Sequence, residues 1–183
     1  MGVFVFKLCT VINVIWCDFV SKDESENEAK TKFVIPLKAE NVMATEVAII
    51  KESASVKKAA EIMAQEGISA IIVTVKGKAK GIVTERDILK RIVAEDKNAR
   101  QTKVKEIMSS PLVTIEPSTD LEEAARLMFE KKMKNLPVAH GNRLIGLINL
   151  QDICLIQPEI LRLLREKMET PKNLQKVLRY YIT

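Results

Sequence analysis

GIVTERDI, Gly81 to Ile88, returns with the same plan as GLINLQDI, Gly146 to Ile153. The offset is 65 residues (146 − 81), and it extends beyond these eight positions: Met43, Val56, Ala59, Ala60, Met63 and Val73 map onto Met108, Leu121, Ala124, Ala125, Met128 and Val138 without a gap. The chain therefore carries an internal duplication. Solenoid repeats run to roughly 20–50 residues, so a period this long makes each copy a small unit with several elements of its own.

In the first copy, Ser53 is the expected cap of a helix whose apolar residues Val56, Ala59, Ala60 and Met63 recur at helical spacing, and Gly67 is its expected stop. ISAIIVTV then reads as a buried strand, KGKAK as a turn, GIVT as a second strand and ERDILKRIVAE as a second helix. With TEVAII as a leading strand the order is β-α-β-β-α. The second copy repeats it through PLVTIEP, LEEAARLMFEKK, NLPVAH, LIGLIN and LQDICLI. The predicted fold class is α/β, with two tandem β-α-β-β-α repeats packed about a pseudo-twofold axis. The expected boundaries are repeat 1 at 32–95, repeat 2 at 96–157 and a helical tail at 158–183.

Residues 1–31 stand outside the duplication. MGVFVFKLCTVINVIWCDFV is apolar, but Lys7, Asn13 and Asp18 interrupt it and no basic residue precedes Lys7, so neither a membrane helix nor a signal peptide is favoured. SKDESENEAKTK reads as a charged linker. Ligand binding by the repeats is expected to need nothing from this extension. A membrane anchor in residues 1–20 is the alternative to a cytoplasmic location.

Aromatics make up 4% of the 183 residues, which suits an aliphatic α/β interior, and a net charge of +5 leaves nucleotides, nucleic acid and a plain soluble surface all open. Three cysteines without a CxxC pair argue against a disulfide framework and for a reducing cytoplasm. His140, the single histidine, precedes a Gly-Asn turn and reads as a surface residue. With no GxxxxGK, no second histidine and no metal-ligand spacing, an enzyme is the weakest class, and neither a catalytic residue nor a metal is expected.

Thr84 and Asp87, like Asn149 and Asp152, have the spacing of a helix capping box. The same residues also fall where a strand ends and a helix begins, the crevice in which α/β folds hold nucleotides. There a carboxylate can accept both hydroxyls of a ribose. The two roles are compatible, because an ionised Asp offers about four lone-pair directions. Gly81 and Gly146 would admit a ligand or a neighbouring strand close to the backbone.

These pieces together, twice and in order over about Phe33 to Ile156, resemble a tandem pair of CBS domains, the cystathionine β-synthase-type regulatory module. The resemblance implies adenosyl ligands in clefts between the copies. It assigns Thr84 and Asp87 to one ribose site and Asn149 and Asp152 to the other. Val113 would wall the adenine of the first and Ala48 that of the second, while Ser69, Lys134 and Arg86 stand where phosphate contacts are expected. Asn149 departs from the usual Thr or Ser, and Ser69 from a basic residue, so the clefts are expected to be unequal, with the Thr84/Asp87 cleft the tighter. The expected function is a non-catalytic regulatory module for AMP, ADP, ATP or a related ligand, with no other cofactor, assembled as a homodimer and signalling to a protein effector. The alternative is a nucleic-acid-binding protein using the basic tail, with Arg162, Arg165, Lys167, Lys172, Lys176 and Arg179.

Overall fold

The computed structural model describes residues 37–158 together with Ile160. The N-terminal extension and the rest of the basic tail lie outside the described residues, as do the expectations attached to them. Among the described residues, no helix is long and apolar enough to cross a membrane.

The first repeat runs α1 (Ala39–Val42), β1 (Ile49–Lys51), α2 (Val56–Glu66), β2 (Ala70–Val75), β3 (Lys78–Thr84) and α3 (Glu85–Ile88), which continues as a π-helical turn over Leu89–Val93. The second runs α4 (Val104–Ile107), α5 (Leu121–Lys131), β4 (Asn135–His140), β5 (Arg143–Asn149) and α6 (Leu150–Ile156). The 65-residue offset carries α1 onto α4, α2 onto α5, β2 onto β4 and β3 onto β5, end for end.

β1 lies parallel to β2 and β2 antiparallel to β3. The expected leading strand PLVTIEP shrinks to a single parallel bridge between Ile115 and Val138. It keeps the register of the first copy, where Ile50 faces Val73. Even the irregularities repeat: a bulge follows Val73 in β2 and its equivalent Val138 in β4.

α2 begins at Ser55, not Ser53. Ser55 has extended backbone and its Oγ accepts the Lys58 amide at 3.3 Å, the geometry of an N-cap two residues later than the expected one. Gly67 ends the helix in the left-handed region at φ 66°, where a residue without Cβ is unstrained. At the equivalent end of α5 the same backbone is adopted by Lys132, at φ 53°.

β2 is apolar without alternation because both its faces are covered. Ile71 and Val73 pack on Val56, Ala59 and Met63 of α2, while Ala70 and Ile72 meet Ile82, Leu144 and Leu147 in a cluster that joins the two sheets. Burying an aliphatic side chain of this size contributes about 1.5–3 kcal/mol.

The copies are also crossed. The segment leading into the second copy pairs with the last strand of the first, Ser109 with Ile82, and the segment leading into the first pairs with the last strand of the second, Ala44 with Leu147. Accordingly Ala39 of α1 is buried in the second copy's core, and Val104 and Ile107 of α4 are buried in the first's. The sequence left open what approaches Gly81 and Gly146. It is these crossing segments: a Cβ at Gly81 would lie 2.7 Å from Met108 Sδ and 2.8 Å from the Ser109 carbonyl oxygen, and one at Gly146 would meet Met43 and the Ala44 carbonyl.

Candidate functional site

β3 ends at Thr84 and α3 begins at Glu85, and this corner is held by the capping box that the Thr-x-x-Asp spacing predicts. The Thr84 hydroxyl donates to Asp87 Oδ2 at 2.7 Å, the Thr84 amide donates to the same oxygen at 3.0 Å, and the Asp87 amide returns a bond to Thr84 Oγ1 at 3.3 Å. Asp87 Oδ1 takes no part in the cap and lies 3.9 Å from Arg91 Nη2. Arg91 is itself anchored by donation from Nη1 to the Ile107 carbonyl. Capping therefore consumes one carboxylate oxygen and leaves the second beside a guanidinium.

A cleft of about 630 Å³ opens at this corner. Six of the nine expected site residues line it: Thr84, Arg86 and Asp87 from the first copy's β3–α3 corner, Ser69 from the start of the neighbouring strand, Val113 from the connector into the second copy, and Lys134 from the loop after α5. Ala48, Asn149 and Asp152 are not among its lining residues. A smaller recess of about 360 Å³ beside the two hairpin turns contains none of the nine.

The second corner is built from different bonds. Asn149 caps α6 by accepting the Gln151 amide at 2.9 Å, and its Nδ2 donates to Asn135 Oδ1 at 3.2 Å. Asn135, buried at the start of β4, in turn donates to Ser69 Oγ at 3.4 Å. Asn149 thus spends its oxygen on its own helix and its amide on Asn135, whereas the Thr84 hydroxyl is spent on Asp87 of its own corner. The first copy has Ala70 where the second has Asn135, so this chain of amides has no mirror image.

Sequence reasoning missed four cationic lining residues, Lys90, Arg91, Lys131 and Lys132, and the polar Asn135. The KKMK run that supplies two of them looks like an ordinary solvated face. Only the position of its loop opposite α3 shows otherwise.

Burial pushes the Asp152 carboxyl above its ordinary value of 3.8, against the opposing effect of a hydrogen bond from the Asn149 backbone. A folded-state pKa above the unfolded one means that the folded chain holds this proton more tightly. The resulting stability is present below the unfolded value, is lost as pH rises through the folded value, and stays lost at neutral pH. Asp152→Asn keeps an acceptor oxygen and removes the charge. It is expected to melt higher than the parent at neutral pH, with the gain gone near about pH 3; a gain of the same size at both pH values would contradict this. Burial likewise raises the thiol of Cys154, which is therefore no activated nucleophile. His140 is exposed at the end of β4 with Nδ1 3.3 Å from a Glu116 carboxylate oxygen, a surface position as expected.

Comparison with known proteins gives this geometry a context. The sequence profile of the CBS domain matches residues 39–94 and again 104–159. The CBS domain-containing protein YhcV of Bacillus subtilis is 36% identical over 117 residues, which make up 64% of this chain and 83% of that protein. The chain spans only 56% and 50% of two further curated relatives. Among solved structures, a candidate signal-transduction protein with CBS domains from Burkholderia ambifaria superposes with a TM-score of 0.60 at 34% identity, over 63% of this chain and 85% of that one. A hexameric CBS-CP12 protein from bloom-forming cyanobacteria gives 0.62 at 30% identity, over 69% and 73%. Two profile matches over most of the described residues, in register with the 65-residue duplication, establish that the chain belongs to the CBS domain family and carries two CBS domains in tandem.

Proposed function

We propose that this chain is a non-catalytic regulatory module that binds an adenosyl ligand between its two repeats and transmits the occupancy to a protein effector. The observation that carries the reading is the convergence, on one cleft, of a capped carboxylate from the first repeat, an apolar wall from the connector and a lysine from the second. A ribose can be held by Asp87, a base by Val113 and a phosphate by Lys134. A ligand so placed touches both repeats, and its binding energy is coupled to their relative position.

The test is a thermal-shift and titration series on the full chain with adenosine, AMP, ADP and ATP against their guanosine counterparts. A ligand at 100 times its Kd adds about 2.7 kcal/mol, or roughly 5–10 °C for a chain of this size. Adenosyl ligands are expected to produce this shift and guanosyl ligands a smaller one. No shift with any of them, or equal shifts for both bases, would sink the reading.

The assembly proposed is a homodimer. Leu89 and Val93 on the π-helical turn and Leu155 and Ile156 on α6 are exposed large hydrophobics that a second copy would cover. Light scattering at micromolar concentration should give twice the chain mass; a monomer, or a higher assembly such as a hexamer, would correct it.

A further inference from the structure

The two clefts of a duplicated fold start with equivalent linings, so the positions at which they differ show what each has become suited to hold. The cleft at Thr84 and Asp87 is lined by six cations: Arg86, Lys90 and Arg91 on the α3 side, and Lys131 at the end of α5 with Lys132 and Lys134 just after it. Two carboxylates, Glu85 and Asp87, accompany them. Carrying these positions across by 65 residues turns Arg86 into Gln151, Lys90 into Leu155, Arg91 into Ile156, Lys131 into Glu66 and Lys132 into Gly67. Pro111, also in the lining, becomes Glu46. Lys134 is a separate case. Its equivalent, Ser69, lines the same cleft.

Lys132 and its equivalent share a backbone conformation. Lys132 occupies left-handed backbone at φ 53°, while its equivalent in the first copy is Gly67 at φ 66°. Glycine takes that conformation freely and a lysine takes it under strain.

We propose that the Thr84/Asp87 cleft is an oligophosphate site: its basic collar selects nucleoside di- and triphosphates over the monophosphate, and restricts them to one site per chain. The choice of nucleoside rests on the adenosyl reading above, whereas the phosphate selectivity rests on the collar. One half-exposed lysine suffices for a single phosphate, whereas cations from both copies, in excess of the two carboxylates beside them, can neutralise a chain of them. The counterpart positions carry Glu46 where this cleft has Pro111 and Glu66 where it has Lys131, changes that disfavour the same ligand.

The experiment is calorimetric titration of the full chain with adenosine, AMP, ADP, ATP and inorganic triphosphate, repeated on the double variant Lys131→Glu/Lys132→Gly. That variant installs the first copy's own residues in a loop of the same backbone shape, and its apo melting point should equal or exceed the parent's. Affinity is expected to rise about threefold to fivefold per added phosphate, so by about tenfold or more from AMP to ATP, with one ATP per chain. The variant should bind adenosine as the parent does and lose most of the AMP-to-ATP gain. Added salt should weaken ATP far more than adenosine. Equal affinities for AMP and ATP in the parent, an unchanged gain in the variant, or two equal ATP sites would overturn the collar while leaving the adenosyl reading standing. Binding of triphosphate but of no nucleoside would uphold the collar and remove the adenosyl reading; binding of neither removes both.

Discussion

Asp87→Ala is expected to weaken the tighter adenosyl-binding phase by about 10- to 150-fold, the loss of roughly 1.5–3 kcal/mol that accompanies removal of a charge-assisted acceptor. Asp152→Ala should affect only a weaker phase. The asymmetry follows from the partners each carboxylate keeps. Asp87, which lines the cleft, spends Oδ2 on the Thr84 amide and hydroxyl, and its other oxygen lies 3.9 Å from Arg91 Nη2. The second corner has Asn149, whose oxygen and amide are already bonded to Gln151 and Asn135. Asp87→Ala also removes a helix cap, which costs about 0.5–2 kcal/mol of stability in its own right. Asp87→Asn therefore belongs beside it, since it keeps an acceptor for the cap but loses the charge. Titration of the three variants with AMP and ATP decides the matter, and loss of the tight phase in Asp152→Ala with Asp87→Ala spared would reverse the ranking.

Gly81→Ala and Gly146→Ala should each destabilise the fold by about 1–3 kcal/mol, the usual cost of overpacking a filled interior. A new Cβ at Gly81 meets the Ser109 carbonyl oxygen at 2.8 Å as well as the flexible Met108 side chain. The methionine can swing away, but the backbone oxygen cannot, because the Ile82 amide donates to it in the bridge that pins the crossing segment. Gly67→Ala is the informative control. It has open space around the new methyl group and pays only for left-handed backbone, an expected loss of about 0.5–1 kcal/mol. Denaturant melts of the three should rank Gly81 and Gly146 below Gly67. If Gly67→Ala proved the most harmful, the crossing contacts would matter less than backbone conformation.

The parts of this fold that could be read from sequence are those set by local pattern. The helical spacing of Val56, Ala59, Ala60 and Met63, the stop at Gly67 and the capping box at Thr84 are each decided by residues within a turn or two of one another, and each appears where its pattern places it. Ser53 misled because two serines precede the same helix, and it is Ser55 whose Oγ accepts the Lys58 amide while the Val56 amide donates to the distant Thr102 carbonyl. PLVTIEP has the apolar content of a strand but pairs with β4 at a single position. The crossing of the leading segments was invisible for a different reason: periodicity says that a segment pairs, but not with which of two equivalent strands. The site was half legible on the same grounds. Thr84 and Asp87 announce themselves by spacing, whereas Lys131 and Lys132 resemble any charged helix end until the fold sets them across from Arg86. Asn135 was lost among the apolar residues of its strand.

The exchange of leading segments between the copies has a consequence for how such a molecule can change. Two separate chains, each a single repeat swapping its leading arm with a twin, would reproduce the same crossed contacts, and every substitution in that shorter gene would appear in both clefts at once. Joined head to tail, the halves hold each other as firmly but are spelled independently. Glu66 and Lys131, or Ala70 and Asn135, can then occupy the same architectural position with opposite chemistry. Covalent linkage thus does more here than raise the local concentration of one half for the other: it frees a symmetric scaffold from the requirement that its two pockets be identical.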